Sequence, residues 1–151
     1  MITESGSNDD TNVGQLLETL IRGSDSIASL LVRLDGTCLG VAGDTAQVNT
    51  TMMAFIVADI FSCCRDMALA VGEDGFSTII QMGADRHVQM TLVGEAYALV
   101  VVFADDRQAG LVRLQAGRTA AALTTLLPIR TICDGNNEAN CVPMQRPRDT
   151  D

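Results

Sequence analysis

Nucleophilic catalysis of the Ser–His–Asp or Cys–His kind would have to pass through His87, the single histidine of this 151-residue chain. No Gly-x-Ser-x-Gly elbow presents a serine to it. His87 falls in an alternating segment, on the face opposite Val88, Met90 and Leu92, which predicts a surface or edge histidine rather than a base. Cys63 and Cys64 are adjacent in a helical stretch and so point about 100° apart. Cys133 and Cys141 flank Asp134-Gly135-Asn136-Asn137. Five cysteines is an odd number, against a disulfide framework. A tetrahedral zinc site needs four ligands in reach, which one histidine and scattered thiols do not offer. The thiols are expected to be reduced and to act as small hydrophobes. Asp105-Asp106 stands where a helix begins, and capping accounts for it without a metal. Asp9-Asp10 and Glu73-Asp74 have no helper ligands and read as solvated charge. With no lysine there is no P-loop, and no Gly-x-Gly-x-x-Gly opens a helix. The expectation is a protein that is not an enzyme, with no catalytic, cofactor-binding or metal-binding residue and no cofactor.

Composition narrows the partners. The net charge of −9 and sequence pI near 4.4 disfavour nucleic acid and anionic membrane, both of which call for basic patches. All ten basic residues are arginine, the bias a GC-rich coding sequence produces and a pointer to a prokaryotic source. The longest apolar run, residues 96–104, is too short to cross a bilayer, so no direct membrane insertion is expected. Residues 1–10 lack the basic start and apolar stretch of a signal peptide, which makes the cytoplasm the default location. Hydrophobic content of 47% with only 3% aromatics means that Leu, Ile, Val, Met and Ala must fill the core.

The elements that hold these residues follow from period and punctuation. Residues 1–10 read as a disordered leader, 11–128 as the domain and 129–151 as a flexible tail. Val13, Leu16, Leu17, Leu20 and Ile21 form one face of a first helix, with Asn12 as candidate N-cap and Gly23 as its end. Residues 27–33 and 37–42 read as strands joined at Asp35-Gly36, where both central residues can take positive φ. Asp44 with Gln47 resembles a capping box for a long middle helix over 46–72, closed by Gly72. Strands are expected over 76–82, 87–93 and 96–103, the last apolar on both faces and therefore central. A third helix follows Asp105, its stripe of Gly110, Leu114, Gly117 and Ala121 suggesting close packing on the sheet. The order is α-β-β-α-β-β-β-α, an α/β (α+β) domain with a largely antiparallel sheet covered by helices on both faces.

The middle helix is too apolar for its place. Met52, Ile56, Ile60, Cys63 and Met67 form one face, and Met53, Val57, Phe61, Cys64 and Ala68 a second. A surface helix normally shows one apolar stripe and a charged back. One face can pack on the sheet; the other needs a partner. Burying five such side chains is worth about 1.5–3 kcal/mol each, against an association cost of about 4–15 kcal/mol. A dimer is therefore energetically within reach and is the expectation.

Leu31-Val32-Arg33-Leu34-Asp35-Gly36-Thr37, the long apolar helix, and Ala109-Gly110-Leu111-Val112-Arg113-Leu114 after the last strand, taken in this order, resemble the roadblock family over about residues 12–127. These are the dynein light-chain roadblock and bacterial mutual-gliding-protein-B-like domains. The resemblance implies a five-stranded antiparallel sheet sandwiched between the second helix and the first and third. It implies homodimers formed through the second helix and the adjacent edge strand, here 76–82. It also implies a non-catalytic regulator or scaffold that binds a small Ras-like GTPase, in some members modulating GTP hydrolysis. Carried onto this chain, the dimer interface takes Met52, Met53, Ile56, Ile60, Phe61, Cys64, Phe76, Thr78 and Ile80, and Asp59 and Asp66 become candidate GTPase contacts. Two other readings stand beside this one: a small-molecule-sensing or general protein-interaction domain of longin- or profilin-like architecture, and an enzyme that would depend on His87.

Overall fold

The first amphipathic pattern folds as a helix and reaches further than its apolar positions require. The computed structural model describes the backbone of residues 2–127 and the side chains of residues 11–127. Helix α1 spans Ile2–Ser24 and buries Val13, Leu17 and Leu20, with Leu16 and Ile21 at the margin of the same cluster. It begins at Ile2 rather than after Asn12, so residues 2–10, expected as a leader, continue the helix. That stretch holds no proline, and Glu4 falls in the first turn, at the positive end of the helix dipole. The boundary expected at 128 and the tail expected over 129–151, with Cys133 and Cys141, lie outside the described residues.

Strands β1 (Ala28–Arg33) and β2 (Cys38–Gly43) form the expected hairpin with a different turn. Arg33 N–H donates to the Thr37 carbonyl and Gly36 N–H to the Arg33 carbonyl, so Leu34, Asp35 and Gly36 make a three-residue connection. Only Gly36 takes positive φ, at 100°, because this loop places a single residue in the left-handed region. The Asp35 carboxylate closes the loop, accepting from Thr37 N–H and Arg33 Nε, both at 3.0 Å. Partial burial pushes the Asp35 carboxyl up, but the Thr37 hydrogen bonds and the Arg33 charge outweigh it and hold the group below its ordinary value.

Asp44 and Gln47 do not cap the middle helix. They belong to a single 3-10 turn over Thr45–Gln47, where the Gln47 amide donates to the Asp44 carboxylate and accepts from Arg86. Val48 is extended and ends that turn. Helix α2 then runs Thr50–Ala70, and its N-cap is Asn49, whose side-chain oxygen accepts Met52 N–H at 3.0 Å. Asn49→Ala should cost about 0.5–2 kcal/mol, read as a lower urea midpoint with an unchanged slope. Gly72 ends the helix as expected. At φ 91° it lets its own N–H reach Leu69 C=O and Glu73 N–H reach Ala68 C=O, the two bonds of a Schellman motif.

Strands β3 (Thr78–Met82), β4 (His87–Val93) and β5 (Tyr97–Phe103) complete one five-stranded sheet in the order β2-β1-β5-β4-β3, with every neighbouring pair antiparallel. β3 starts two residues later than expected, because Phe76 turns into the core under α2. β5 is central and buried along its whole length, as its unbroken apolar sequence requires. One face of the sheet carries Leu31, Leu99, Val101 and Phe103 against α1 and the third helix. The other carries Leu30, Val32, Met90 and Val100 against α2.

His87 is buried, only 5% exposed, and not a surface residue. Alternation along β4 separates two faces, and both are covered. The face opposite Met90 is the one where His87 packs on the Phe103 ring, with centroids 5.2 Å apart. Asp105 caps a 3-10 turn over Asp106–Gln108 by accepting Arg107 N–H at 2.9 Å, and helix α3 follows over Ala109–Leu126. The stripe of Gly110, Leu114, Gly117 and Ala121 faces solvent, contrary to expectation; Val112, Ala116, Thr119, Ala120 and Leu123 face the sheet. A Cβ at Gly117 would meet nothing within 4 Å. Gly117→Ala should therefore stabilise the fold by about 0.4–1 kcal/mol, through a lower chain entropy when unfolded, and would show as a raised urea midpoint. Among the described residues no helix is long and apolar enough to cross a membrane, and no group of three or more His, Cys, Asp or Glu could hold a metal ion.

Candidate protein-interaction surface

Helix α2 has two apolar faces, and the sheet takes one of them. Ala54, Val57, Phe61 and Ala68 are buried, with Met53 and Cys64 half-buried beside them. The Phe61 ring lies against Phe76 at a centroid distance of 5.3 Å, tilted by 48°. Of the expected interface residues, Phe61 is thus committed to the protein's own core. Phe76, Met53 and Ile60 pack against the same cluster.

Among the described residues nothing covers the outward face. Met52 is 55% exposed, Phe55 61%, Ile56 44% and Met67 61%, with exposed Cys63 between them. A monomeric soluble protein leaves single apolar side chains in water without consequence; a contiguous row of large ones marks an interaction site. Asp59 and Asp66 are exposed as expected. At 100° per residue they lie within about 40° of the Met52 line, on the side of Phe55. The exposed face is therefore divided: an apolar half formed by Met52, Ile56 and Met67, leading to half-buried Ile60, and a half where Phe55 stands with two carboxylates. Periodicity does not single out Phe55. Its one signal in the sequence is its place three residues from Met52, and its ring sits where a Cβ on Gly36 would come within 3.0 Å.

On the edge strand β3, Thr78 and Ile80 pair with Thr91 and Gln89, which places them on the α1–α3 side of the sheet, both half-buried. Met82, further along, is 53% exposed. Thr78 and Ile80 therefore do not extend the α2 surface directly; they belong to the strand edge beside it. Among the described residues the geometry of nucleophilic catalysis is not assembled at His87, whose ring packs at a tilt of 55° against Phe103 and whose Nδ1 has no hydrogen-bond partner there.

No protein-family model matches the chain. No curated protein matches it either. Solved structures do. The chain is similar to Myxococcus xanthus MglB at 28% identity and a TM-score of 0.74, over 79% of this chain and 92% of that one. It is similar to the gliding protein MglB of Thermus thermophilus at 22% identity and a TM-score of 0.74, over 78% of this chain and 90% of that one. A roadblock/LC7 domain from Streptomyces avermitilis superposes with a TM-score of 0.64 at 15% identity, over 74% of this chain and 94% of that one. The three helices and five antiparallel strands of the described residues, in their order, and these likenesses together identify a roadblock-like domain.

Proposed function

We propose that this chain is a non-catalytic homodimeric regulator or scaffold that binds a small Ras-like GTPase and modulates its GTP hydrolysis. The observation that carries the reading is the face of α2 that no described residue covers, where Met52, Phe55, Ile56 and Met67 are exposed on a helix whose other face already fills the core. Likeness to the gliding protein MglB supports it. In this reading the apolar half of the face, with Ile60 at its margin, meets the same half of a second copy. Edge strand β3, with Thr78 and Ile80, lies alongside its counterpart, which gives the strand edge a partner. Asp59 and Asp66 stay wet on the composite surface and are the first candidates to meet the GTPase. The partner is expected in the same compartment, the cytoplasm.

Two measurements test it. Light scattering after size exclusion should give twice the chain mass at micromolar concentration. Titration calorimetry against a prokaryotic Ras-like GTPase encoded beside this chain should show binding in at least one nucleotide state, with Asp59→Arg/Asp66→Arg weakening it. A monomer, or a dimer silent toward that GTPase in both the GDP and the GTP-analogue state, would overturn the corresponding half of the reading.

A further inference from the structure

We propose that the free edge of β2 binds an extended peptide segment of a partner protein by strand addition. β2 lies at the end of the sheet opposite β3, with β1 on one side and no strand on the other among the described residues. Two hydrogen bonds fix which of its backbone groups are unused. Arg33 N–H donates to Thr37 C=O, and Asp44 N–H to Ile27 C=O, at the two ends of the β1–β2 ladder. With Leu31 opposite Gly40 and Ser29 opposite Ala42, the alternation of an antiparallel ladder turns the N–H and C=O of Gly40 and Ala42 toward β1. It turns those of Val41, and the N–H of Gly43, outward.

Natural edges of this kind are blunted by charged side chains, by proline, or by a covering element. β2 reads Cys38-Leu39-Gly40-Val41-Ala42-Gly43, without a charge or a proline. Its one irregularity, a shift of register between Leu31 and Val32, protects only the Cys38 end. β3 is equally uncharged, but the dimer proposed above uses it; β2 has no such use.

The flank of the edge is shaped for a chain. An open groove of about 460 Å³ runs between Val41 and the side of α1 formed by Thr11, Gly14, Gln15, Glu18 and Arg22. At Gly14 a Cβ would meet nothing within 4 Å, so the helix leaves room there that its own packing does not require. Glu18 and Arg22 stand one turn apart, yet no ion pair joins them to each other or to another described residue. An exposed carboxylate and an exposed guanidinium along a strand edge fit an extended partner with a basic residue to face Glu18 and an acidic one to face Arg22. The backbone bonds supply affinity and the two charges supply direction, the division seen in strand addition generally. A helix could not use the outward groups of Val41, since its own backbone donors and acceptors are taken.

The test begins with a phage-displayed library of random peptides selected against the full chain. The strongest binders are synthesised and titrated into isotope-labelled protein. Amide shifts should cluster at residues 41–43 and at Glu18 and Arg22. Methylating a peptide nitrogen that faces Val41 should weaken binding about tenfold, the effect of one hydrogen bond. Val41→Pro removes an N–H that β1 does not use, so an edge strand tolerates it, and should weaken binding similarly. Gly14→Arg fills the groove from a position that favours a non-glycine residue, and should abolish binding while the melting temperature holds or rises. Exchanging Glu18 and Arg22 should reverse the charge order of the selected peptides. The proposal is overturned by a library without binders, by binders whose shifts map to α2, or by binders indifferent to Gly14→Arg and to N-methylation. It is also overturned if the edge is occupied by a second copy, seen as a mass beyond the α2 dimer. Binding that survives Ile56→Asp separates this site from the proposed dimer.

Discussion

Phe61→Ala should cost the fold about 3–5 kcal/mol, the range for emptying a buried aromatic site. Phe61 is 1% exposed and lies in the cluster of Leu30, Val32, Val57, Met90 and Val100 beneath α2, where its ring meets Phe76. The cost has two parts: the lost transfer of a ring from water, and a cavity that the sheet on one side and the helix on the other cannot close. The tilted ring pair adds about 0.5–1.5 kcal/mol that Phe61→Leu would also lose while keeping most of the volume. Set against a total stability of roughly 5–15 kcal/mol, the alanine variant should populate unfolded chain at moderate temperature. Urea unfolding of dilute protein measures it. A variant that kept its unfolding midpoint and lost only self-association would show that Phe61 faces a partner after all.

The contrast between Phe61 and its neighbours on α2 shows what pattern can and cannot say. The order of elements, the central place of β5 and the Schellman end at Gly72 are legible because each rests on local chemistry: an unbroken apolar run, or a glycine where the backbone must turn left-handed. Two apolar faces on α2 are equally legible. Which of them meets the sheet is not, because a period of 3.6 residues fixes the angle between faces and not the direction of either. That is why the sequence groups Phe61 with the interface and leaves Phe55 off both apolar faces. The stripe on α3 fails differently. Glycine in a helix permits close approach but does not demand it, and Gly110 and Gly117 face water. His87 reads as a surface residue because polar positions alternate with apolar ones along β4. In a sheet covered on both sides that alternation separates two interiors, and the covering helix cannot be seen from the strand's own sequence. Asn49 is hidden as a cap because Asp44 and Gln47 match a capping box three residues apart. The extended Val48 that separates their turn from the helix leaves no mark in composition.

Ile56→Asp should separate the proposed dimer into folded monomers. Ile56 is 44% exposed, within the apolar half of the α2 face, so the fold gains little from it and should unfold near the parent's midpoint. In a two-fold contact the substitution acts twice, once from each copy. Each copy loses the burial of the remaining side-chain surface, about 1 kcal/mol by area. Each also places a carboxylate where water is excluded, which costs at least the roughly 1–3 kcal/mol of an unpaired neutral polar group. The sum, roughly 4 kcal/mol or more, weakens association by about a thousandfold. A dimer formed at nanomolar concentration would then dissociate across the micromolar range, which sedimentation equilibrium resolves directly. The same substitution at Met52 should act alike. At Asp59, on the carboxylate side of the face, Asp59→Asn should leave association untouched or strengthen it, because removing a charge near a like charge on the second copy relieves repulsion. If Ile56→Asp stayed dimeric while Asp59→Asn dissociated, the apolar half of α2 would be the side left open for the GTPase and the two roles assigned to the helix would exchange.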